Sequence, residues 1–217
     1  MATFKTGPAA GVETLSSILD VLDHLVYATP HLEQTVSDLG GRLGVVPSLG
    51  GRHPAWGTRN AVLALGEQTY LEVIGPDLEL EPQGRARPFN SDMMVMPRLV
   101  SWVCRTESVD RTVRAAKRLG VDLGQVVRGS RVRADGSMLR WEMTDLATDR
   151  EGGIVPYFIN WGESEHPARS SPRGCTLLAL RVEHPEPQRL SVILAGLGLP
   201  IHVKMGSQPR LIATLSC

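Results

Sequence analysis

The sequence predicts an α+β fold: tandem βαβββ modules forming a cupped mixed sheet, with a third, partial βαββ module at the C-terminus. Three observations carry this. The chain repeats itself at three places in the same order, short apolar runs alternate with helical stripes, and turn residues punctuate the segments that follow each helix.

The repeats come first because they set the organisation. Leu22-Asp23-His24-Leu25-Val26-Tyr27-Ala28-Thr29 lies over Leu99-Val100-Ser101-Trp102-Val103-Cys104-Arg105-Thr106 without a gap. Arg42-Leu43-Gly44-Val45 recurs unchanged as Arg118-Leu119-Gly120-Val121, and Tyr70-Leu71-Glu72-Val73-Ile74-Gly75 lies over Tyr157-Phe158-Ile159-Asn160-Trp161-Gly162, keeping the tyrosine and the glycine. Each match is weak alone, but three in one order are hard to obtain by chance. They define an extension over residues 1–19, a first module over 20–98, a second over 99–165 and a partial third over 175–217, with 20–217 forming one domain.

Within the first module, residues 22–28 are short and apolar, as in a buried strand. Thr29 is placed to cap a helix with Pro30 in its first position, and Leu32, Val36, Leu39 and Leu43 form one stripe that Gly44 closes. In the second module, residues 99–105 are the strand, Thr106 opens the helix, and Val109, Val113, Ala116 and Leu119 are its stripe, closed by Gly120. Alternating stretches at Asn60–Leu65 and Ser137–Met143 read as half-buried strands. Gly66-Glu67 and Ala134-Asp135-Gly136 are the turn signals, the latter a hairpin. The third unit reads as a strand over Leu177–Val182, a helix with Leu190, Ile193, Leu194 and Leu197 closed by Gly198, and strands near Ile201–Lys204 and Leu211–Leu215. Gly162–Gly174, rich in proline and serine, reads as its connection.

Composition bounds the function. The 217 residues are 42% hydrophobic and 21% charged, the balance of a globular chain. Twenty-three basic residues cancel twenty-three acidic ones, so no net field draws a phosphate backbone, and nucleic acid is not expected as a partner. Arg128, Arg131 and Arg133 read as a solvated strand or hairpin edge. No apolar run reaches membrane-spanning length, and Lys5, Glu13 and Asp20 break any signal-peptide core, so a cytoplasmic protein off the membrane is expected. Cys104, Cys175 and Cys217 are odd in number and far apart, which indicates neither a disulfide framework nor a zinc knuckle. There is no Gly-x-Ser-x-Gly, and Gly50-Gly51 lacks the residues of a phosphate loop, so neither a serine nucleophile nor a nucleotide cofactor is expected.

The stretch Gly50-Gly51-Arg52-His53-Pro54-Ala55-Trp56-Gly57-Thr58-Arg59-Asn60-Ala61, followed by Tyr70-Leu71-Glu72, resembles the glyoxalase-like branch of the vicinal oxygen chelate superfamily, a branch often found in bacteria with unassigned function. Asp135–Trp141, Pro156–Gly162 and His166-Pro167 resemble the same branch. The resemblance, over roughly residues 20–215, implies the glyoxalase/bleomycin resistance/dioxygenase fold, with a cupped sheet around a pocket for a small molecule. It does not supply a reaction.

In that superfamily's metal enzymes the ligands come from the first and last strands of both modules, which here implies His24 and Glu72 as ligands for a divalent metal such as Zn, Ni, Mn or Fe. The matched second-module positions, Ser101 and Ile159, are not ligands, leaving two where catalytic zinc uses three. Without metal, His24 and Glu72 read either as an acid–base pair or as two groups satisfying each other beneath the sheet. Arg52, His53, Trp56, Thr58 and Asn60 lie between glycines and read as a ligand-binding loop or as a turn-rich connection of fixed shape. Arg140 is either an anion-binding group or a surface arginine. Trp141 and Trp161 are candidate aromatic walls, although core packing is expected for at least two of the four tryptophans, Trp56, Trp102, Trp141 and Trp161. His166 and His184, each before a proline, read as turn-fixing residues. The resulting expectation is an enzyme moving a proton on, or polarising the carbonyl of, a small oxygenated metabolite. The alternative is a non-catalytic binding or drug-sequestering protein, either one a monomer or homodimer.

Overall fold

The computed structural model describes residues 18–80, 86–132, 138–148 and 150–217. Residues 1–17 of the extension, Arg133 and the Ala134-Asp135-Gly136 turn lie outside the described residues. The first half of the chain gives β1 (Leu22–Ala28), α1 (Leu32–Leu43), β2 (Ser48–His53), β3 (Thr58–Ala64) and β4 (Tyr70–Pro76). The second gives β5 (Arg98–Arg105), α2 (Val109–Arg118), β6 (Val126–Val132), β7 (Met138–Thr144) and β8 (Tyr157–Asn160). A three-stranded unit follows with β9 (Thr176–His184), α3 (Pro187–Gly196), β10 (Val203–Met205) and β11 (Arg210–Ser216).

Eight strands form one curled mixed sheet in the order β2-β3-β4-β1-β5-β8-β7-β6. Its two halves are mirrored in topology: β1 runs parallel to β4, β5 runs parallel to β8, and β1 meets β5 antiparallel at the centre. A strand in that position is covered on both faces, which is why all seven residues of β1 are buried. The pairing obeys the sequence repeat. His24 lies opposite Val103 and Val26 opposite Ser101, so each residue faces the counterpart of the other. One element of the repeat is corrected. Glu72 lies opposite Val26, and Tyr157 lies opposite Val103, the counterpart of Val26. By register the counterpart of Glu72 is therefore Tyr157 and not Ile159. A slip of two residues preserves which face each side chain takes, so the letter match could not detect it.

Both helices start two residues later than the threonines suggested. Thr29 Oγ1 accepts from the His31 amide and bonds Thr35 Oγ1 at 2.7 Å, and Thr106 Oγ1 does the same with the Ser108 amide and Thr112 Oγ1 at 2.8 Å. These threonines hold the turn before the helix, a bond short hydroxyl side chains make as readily as a cap. The N-cap of α2 is Ser108, whose hydroxyl accepts from the Arg111 amide, whereas His31 caps α1 without a side-chain bond. Ser108→Ala is expected to lower unfolding free energy by about 1 kcal/mol in urea denaturation. Gly44 ends α1 in the left-handed region at φ 71°, its amide bonding Gly40 O. The apolar stripes bury Leu32, Leu39, Leu43, Val109 and Ala116, but Leu119 is half-exposed because it lies past the last turn of α2, against α3 at Gly196.

The helices and the three-stranded unit cover the outer face of the sheet. One continuous core joins Leu25, Leu63, Leu71 and Trp102 to Leu180, Leu190, Leu194 and Leu215. In the small sheet β9 pairs parallel with β10 and antiparallel with β11. That pairing brings the start of β9 to the end of β11, where Cys175 and Cys217 form a disulfide with Cα atoms 4.2 Å apart. The reading of these cysteines as unpaired is thereby corrected: 42 residues separate them in sequence, but antiparallel strands place their ends side by side. A disulfide is a feature of oxidising compartments, so these cysteines lend no support to the cytoplasmic expectation. Cys104 is buried and free, as expected of a packing thiol. Among the described residues no helix is long and apolar enough to cross a membrane.

Candidate functional site

The inner face of the curled sheet encloses about 70 Å³ of free space. A cup of this size suits a small ligand. Its two walls differ. The first half of the sheet contributes His24, His53, Asn60, Tyr70 and Glu72 beside Val26, Trp56, Val62 and Ile74; the second contributes Val103, Trp141, Met143, Leu146, Ile159, Trp161 and the charged Arg131, with Phe89 closing one side. Arg131 of β6 reaches in at the seam where the sheet's edges approach. Its Cδ would lie 2.6 Å from a Cβ at Gly51 of β2.

Two irregular pairings aim the polar wall. In β1 the register shifts between Leu22 and His24, leaving Asp23 as the extra residue of a bulge beside its neighbour. Asp23 Oδ1 lies 2.7 Å from His24 Nδ1 as a result. In the β2–β3 pair the register shifts between Leu49 and Arg52, and Gly50 and Gly51 lie against Asn60. Asn60 Oδ1 accepts from the Gly51 amide at 2.8 Å, which orients the amide so that its Nδ2 donates to Glu72 Oε1 at 2.6 Å. A Cβ at Gly50 would sit 2.3 Å from Asn60 Oδ1. Gly50→Ala is therefore expected to displace Asn60, destabilise by about 1–2 kcal/mol and unfasten Glu72, checked by denaturation and by the Asn60 side-chain amide resonances.

The other Glu72 oxygen, Oε2, is 3.8 Å from His24 Nε2, too long for a hydrogen bond. The His24 ring is stacked on Tyr70 with centroids 4.5 Å apart. Behind it, Asp23 Oδ2 accepts from Trp161 Nε1 at 3.0 Å and lies 3.2 Å from His166 Nε2. Asp23 is fully buried, and burial alone would raise its pKa; the hydrogen bonds from His166 and His24 outweigh that and bring it to about 2. Burial pushes the His53 pKa down, against the charge of Glu72, and raises that of Tyr70, with Glu72 and Asp23 adding to the rise.

Of the residues singled out from the sequence, His24, Glu72, His53, Trp56, Asn60, Trp141 and Trp161 line the cup together. Thr58 lies behind it, with Oγ1 3.1 Å from His53 Nδ1. Arg52 and Arg140 do not join them. Arg52 forks onto the buried carboxylate of Asp77 at 2.5 and 2.9 Å and reaches Glu79. Arg140 alternates with Trp141 along β7 and opens on an adjoining groove of about 780 Å³, shared with Arg128, Glu142 and Ser164 and divided from the cup by Trp141 and Trp161, which line both. The supposed loop is a hairpin, β2 and β3 with its turn at Pro54–Gly57. Trp102 is fully in the core, bonded through Nε1 to Ile154 O, while Trp141 and Trp161 pack against the buried cluster of Val103, Tyr157 and Ile159 and also line the cup with Trp56. Strand parity decides this, since Trp102 lies one residue before the cup-lining Val103.

Asp23, Tyr70, Arg131 and His166 were not chosen from the sequence. Tyr70 carried a signal as an anchor of the repeat. His166 does fix a turn, its Nδ1 accepting from the Ala168 amide, and it reaches Asp23 with its other nitrogen.

For a metal, this chain offers His24 Nε2 and Glu72 Oε2. Among the described residues no group of three His, Cys, Asp or Glu is placed to hold an ion. The position matching Glu72 is Tyr157, whose hydroxyl is turned to Leu146 O. The donor set does not fit a three-ligand centre, and no step below passes through a metal.

A family model described as a glyoxalase-like domain matches residues 22–198. No curated protein matches the chain. Among solved structures, a hypothetical protein from Staphylococcus aureus is similar at 12% identity, with 88% of this chain and 90% of that one covered and a TM-score of 0.62, a likeness of fold. Methylmalonyl-CoA epimerase from Mycobacterium tuberculosis is similar at 16% identity over 66% of this chain and 88% of that one, with a TM-score of 0.42.

Proposed function

The chain belongs to the glyoxalase-like domain family, and on that premise we propose that it is an enzyme that moves a proton on a small oxygenated carbonyl compound held in the cup, with Glu72 and His24 as the catalytic pair. The observation that carries this reading is the pair's geometry. Glu72 is fastened through one oxygen by Asn60, His24 through one nitrogen by Asp23, and the remaining oxygen and nitrogen face each other across 3.8 Å at the cavity wall. A substrate entering between them meets both at hydrogen-bond range. Glu72 Oε2 takes the proton from the carbon beside the carbonyl, and His24 Nε2 exchanges a proton with the substrate oxygen as charge develops there. The largely apolar remainder of the lining lowers the local dielectric, which strengthens both interactions. Metal-assisted carbonyl polarisation finds less support in the donor set. The partner is a small molecule, and the reading extends to no nucleic acid or membrane.

The test is deuterium incorporation. Purified protein in D2O, incubated with C3 to C5 hydroxyketones and 2-oxo compounds, is expected to exchange the α-proton of at least one, followed by proton NMR. The walls, apolar around a single polar face, favour as a second reading a binding protein without turnover. That protein would raise its melting temperature with a compound whose α-proton it never exchanges.

A further inference from the structure

Two segments cross the inner face of the curled sheet, at opposite ends of its strands. At the Tyr70 end, residues 161–173 lay Ala168 and Trp161 on Val62, Ala64 and Tyr70. This segment is fastened along its course. Trp161 Nε1 and His166 Nε2 meet the buried Asp23 carboxylate, and Ser164 Oγ accepts from the Arg140 amide and donates to the Arg140 carbonyl, both at 2.9 Å. The Ala64 amide donates to Pro172 O at 2.9 Å. At the Ile74 end, residues 88–94 lay Phe89 and Met94 on the cluster of Val26, Ile74 and Tyr157. Phe89 lines the cup and meets Tyr157 edge to face, with centroids 5.9 Å apart.

This second segment is weakly held. Among the described residues no backbone group of residues 88–97 is hydrogen-bonded to the sheet. Met93, Val95 and Met96 are 83, 89 and 62% exposed, so these apolar side chains bury little that would keep it in place. Phe89 and Asn90 both adopt left-handed conformations, at φ 61° and 51°, which strains the backbone at a residue as bulky as phenylalanine. The Ser91 hydroxyl is buried without a partner, a cost that exposure to water would relieve. One side chain ties the segment down. Arg87 donates from Nε to Gly57 O at 2.7 Å, from Nη2 to Leu80 O at 2.8 Å and from Nη1 to Asp92 at 2.6 Å. Gly57 ends the β2–β3 turn that carries the cup-lining Trp56, so Arg87 latches the segment to the edge of the cup.

We propose that residues 88–96 are a lid: a ligand enters and leaves the cup when this segment swings away and withdraws Phe89, and Arg87 is the latch. Two successive left-handed residues and an unpaired buried hydroxyl raise the free energy of the closed state towards that of the open one, which lets this segment open while the rest of the fold stays intact. The segment at the Tyr70 end is the fixed wall. This rests on the reading of the cup as the ligand site and adds the route by which that site is reached.

Thiol labelling of the full chain tests the lid without a ligand. Val26 lines the cup and packs in the cluster that Phe89 covers. In Val26→Cys the new thiol has one internal control, Cys104, which is buried in the main core, because Cys175 and Cys217 are bonded to each other. Methyl methanethiosulfonate is the probe, and mass spectrometry of the digested protein reads each site. Asn90 is exposed and lies off the cup lining, so its variants change the lid alone. Adding Asn90→Pro, whose ring forbids a φ of 51°, is expected to speed labelling at position 26 about tenfold. Asn90→Gly, which takes that φ freely, is expected to slow it about threefold. Labelling of Cys104 stays unchanged in both. If Asn90→Pro does not fold, Arg87→Leu removes the latch and gives the same acceleration. Acceleration of both thiols together, no change at position 26 in Asn90→Pro or Arg87→Leu, or an equal acceleration by Ser164→Ala, which loosens the opposite segment, overturns the lid. The catalytic reading fails separately, since labelling needs no turnover and α-proton exchange does not report on which segment opens.

Discussion

Asp23→Ala is expected to cost about 3–5 kcal/mol of unfolding free energy, the larger of two stability effects that this site makes measurable. The carboxylate is fully buried and accepts from His24, His166 and Trp161. Truncation leaves three N–H groups, one from the adjacent His24 and two from the 161–166 segment, without an acceptor, and each such group costs about 1–3 kcal/mol where water does not reach. Asp23→Asn is milder, because its carbonyl can keep one or two of the donors while its amide confronts the third. The charge also sets a pH dependence. The folded pKa lies below the ordinary value of 3.8, at about 2. The carboxylate's contribution is therefore complete above pH 4, declines as pH falls through that value and is gone once the folded group protonates. The shift corresponds to roughly 2 kcal/mol. Urea denaturation at pH 7 and between pH 4 and 2 checks both statements. A difference under 1 kcal/mol for Asp23→Ala at pH 7 would show that the three donors find other partners.

The parts of this fold that were legible in the sequence are those set by short-range periodicity. The Leu32–Leu43 stripe with Gly44 after it gave α1 to within the capping turn, because a 3.6-residue apolar period and a left-handed glycine are properties of the local chain. The third unit followed in the same way, its helix closed by Gly198. β2 was read as a loop because Ser48–His53 has two glycines and a bulge that breaks the alternation of a strand. A two-residue slip in β8 left the face of every side chain unchanged and was invisible for that reason. The Cys175–Cys217 bridge depends on β11 returning to the start of β9, a tertiary fact with no local trace.

The site divides along the same line. His24 and Glu72 stand on predictable strands, so the repeat located them, and Asn60 fell within the motif beside them. What holds them was not legible. Asp23 looks like one polar residue in an apolar strand, and only the bulge turns its side chain into the support of His24. His166 was correctly a turn residue, yet its second nitrogen crosses 143 positions of sequence to the same carboxylate. Arg140 and Arg52 misled because a sequence gives the residue's chemistry but not its face: β7 alternation sends Arg140 away from the cup, and Asp77 holds Arg52 outside it.

Glu72→Gln tests the catalytic reading with the fold left standing. The glutamine carbonyl can accept from Asn60 Nδ2 as the carboxylate oxygen does, so the bond at 2.6 Å is kept. Its amide nitrogen takes the place of the second oxygen, 3.8 Å from His24 Nε2. The fastening bond is retained, and the melting temperature is expected to stay within a few degrees of the parent. The basic oxygen is gone, since an amide at this position does not accept a carbon-bound proton, and α-proton exchange is expected to fall about 10³-fold, roughly 4 kcal/mol of barrier. Exchange that persists at the parent rate in a folded Glu72→Gln protein removes this carboxylate from the reaction. His53 is then the remaining base on the same wall, since burial lowers its pKa and leaves the ring neutral and able to accept a proton near pH 7.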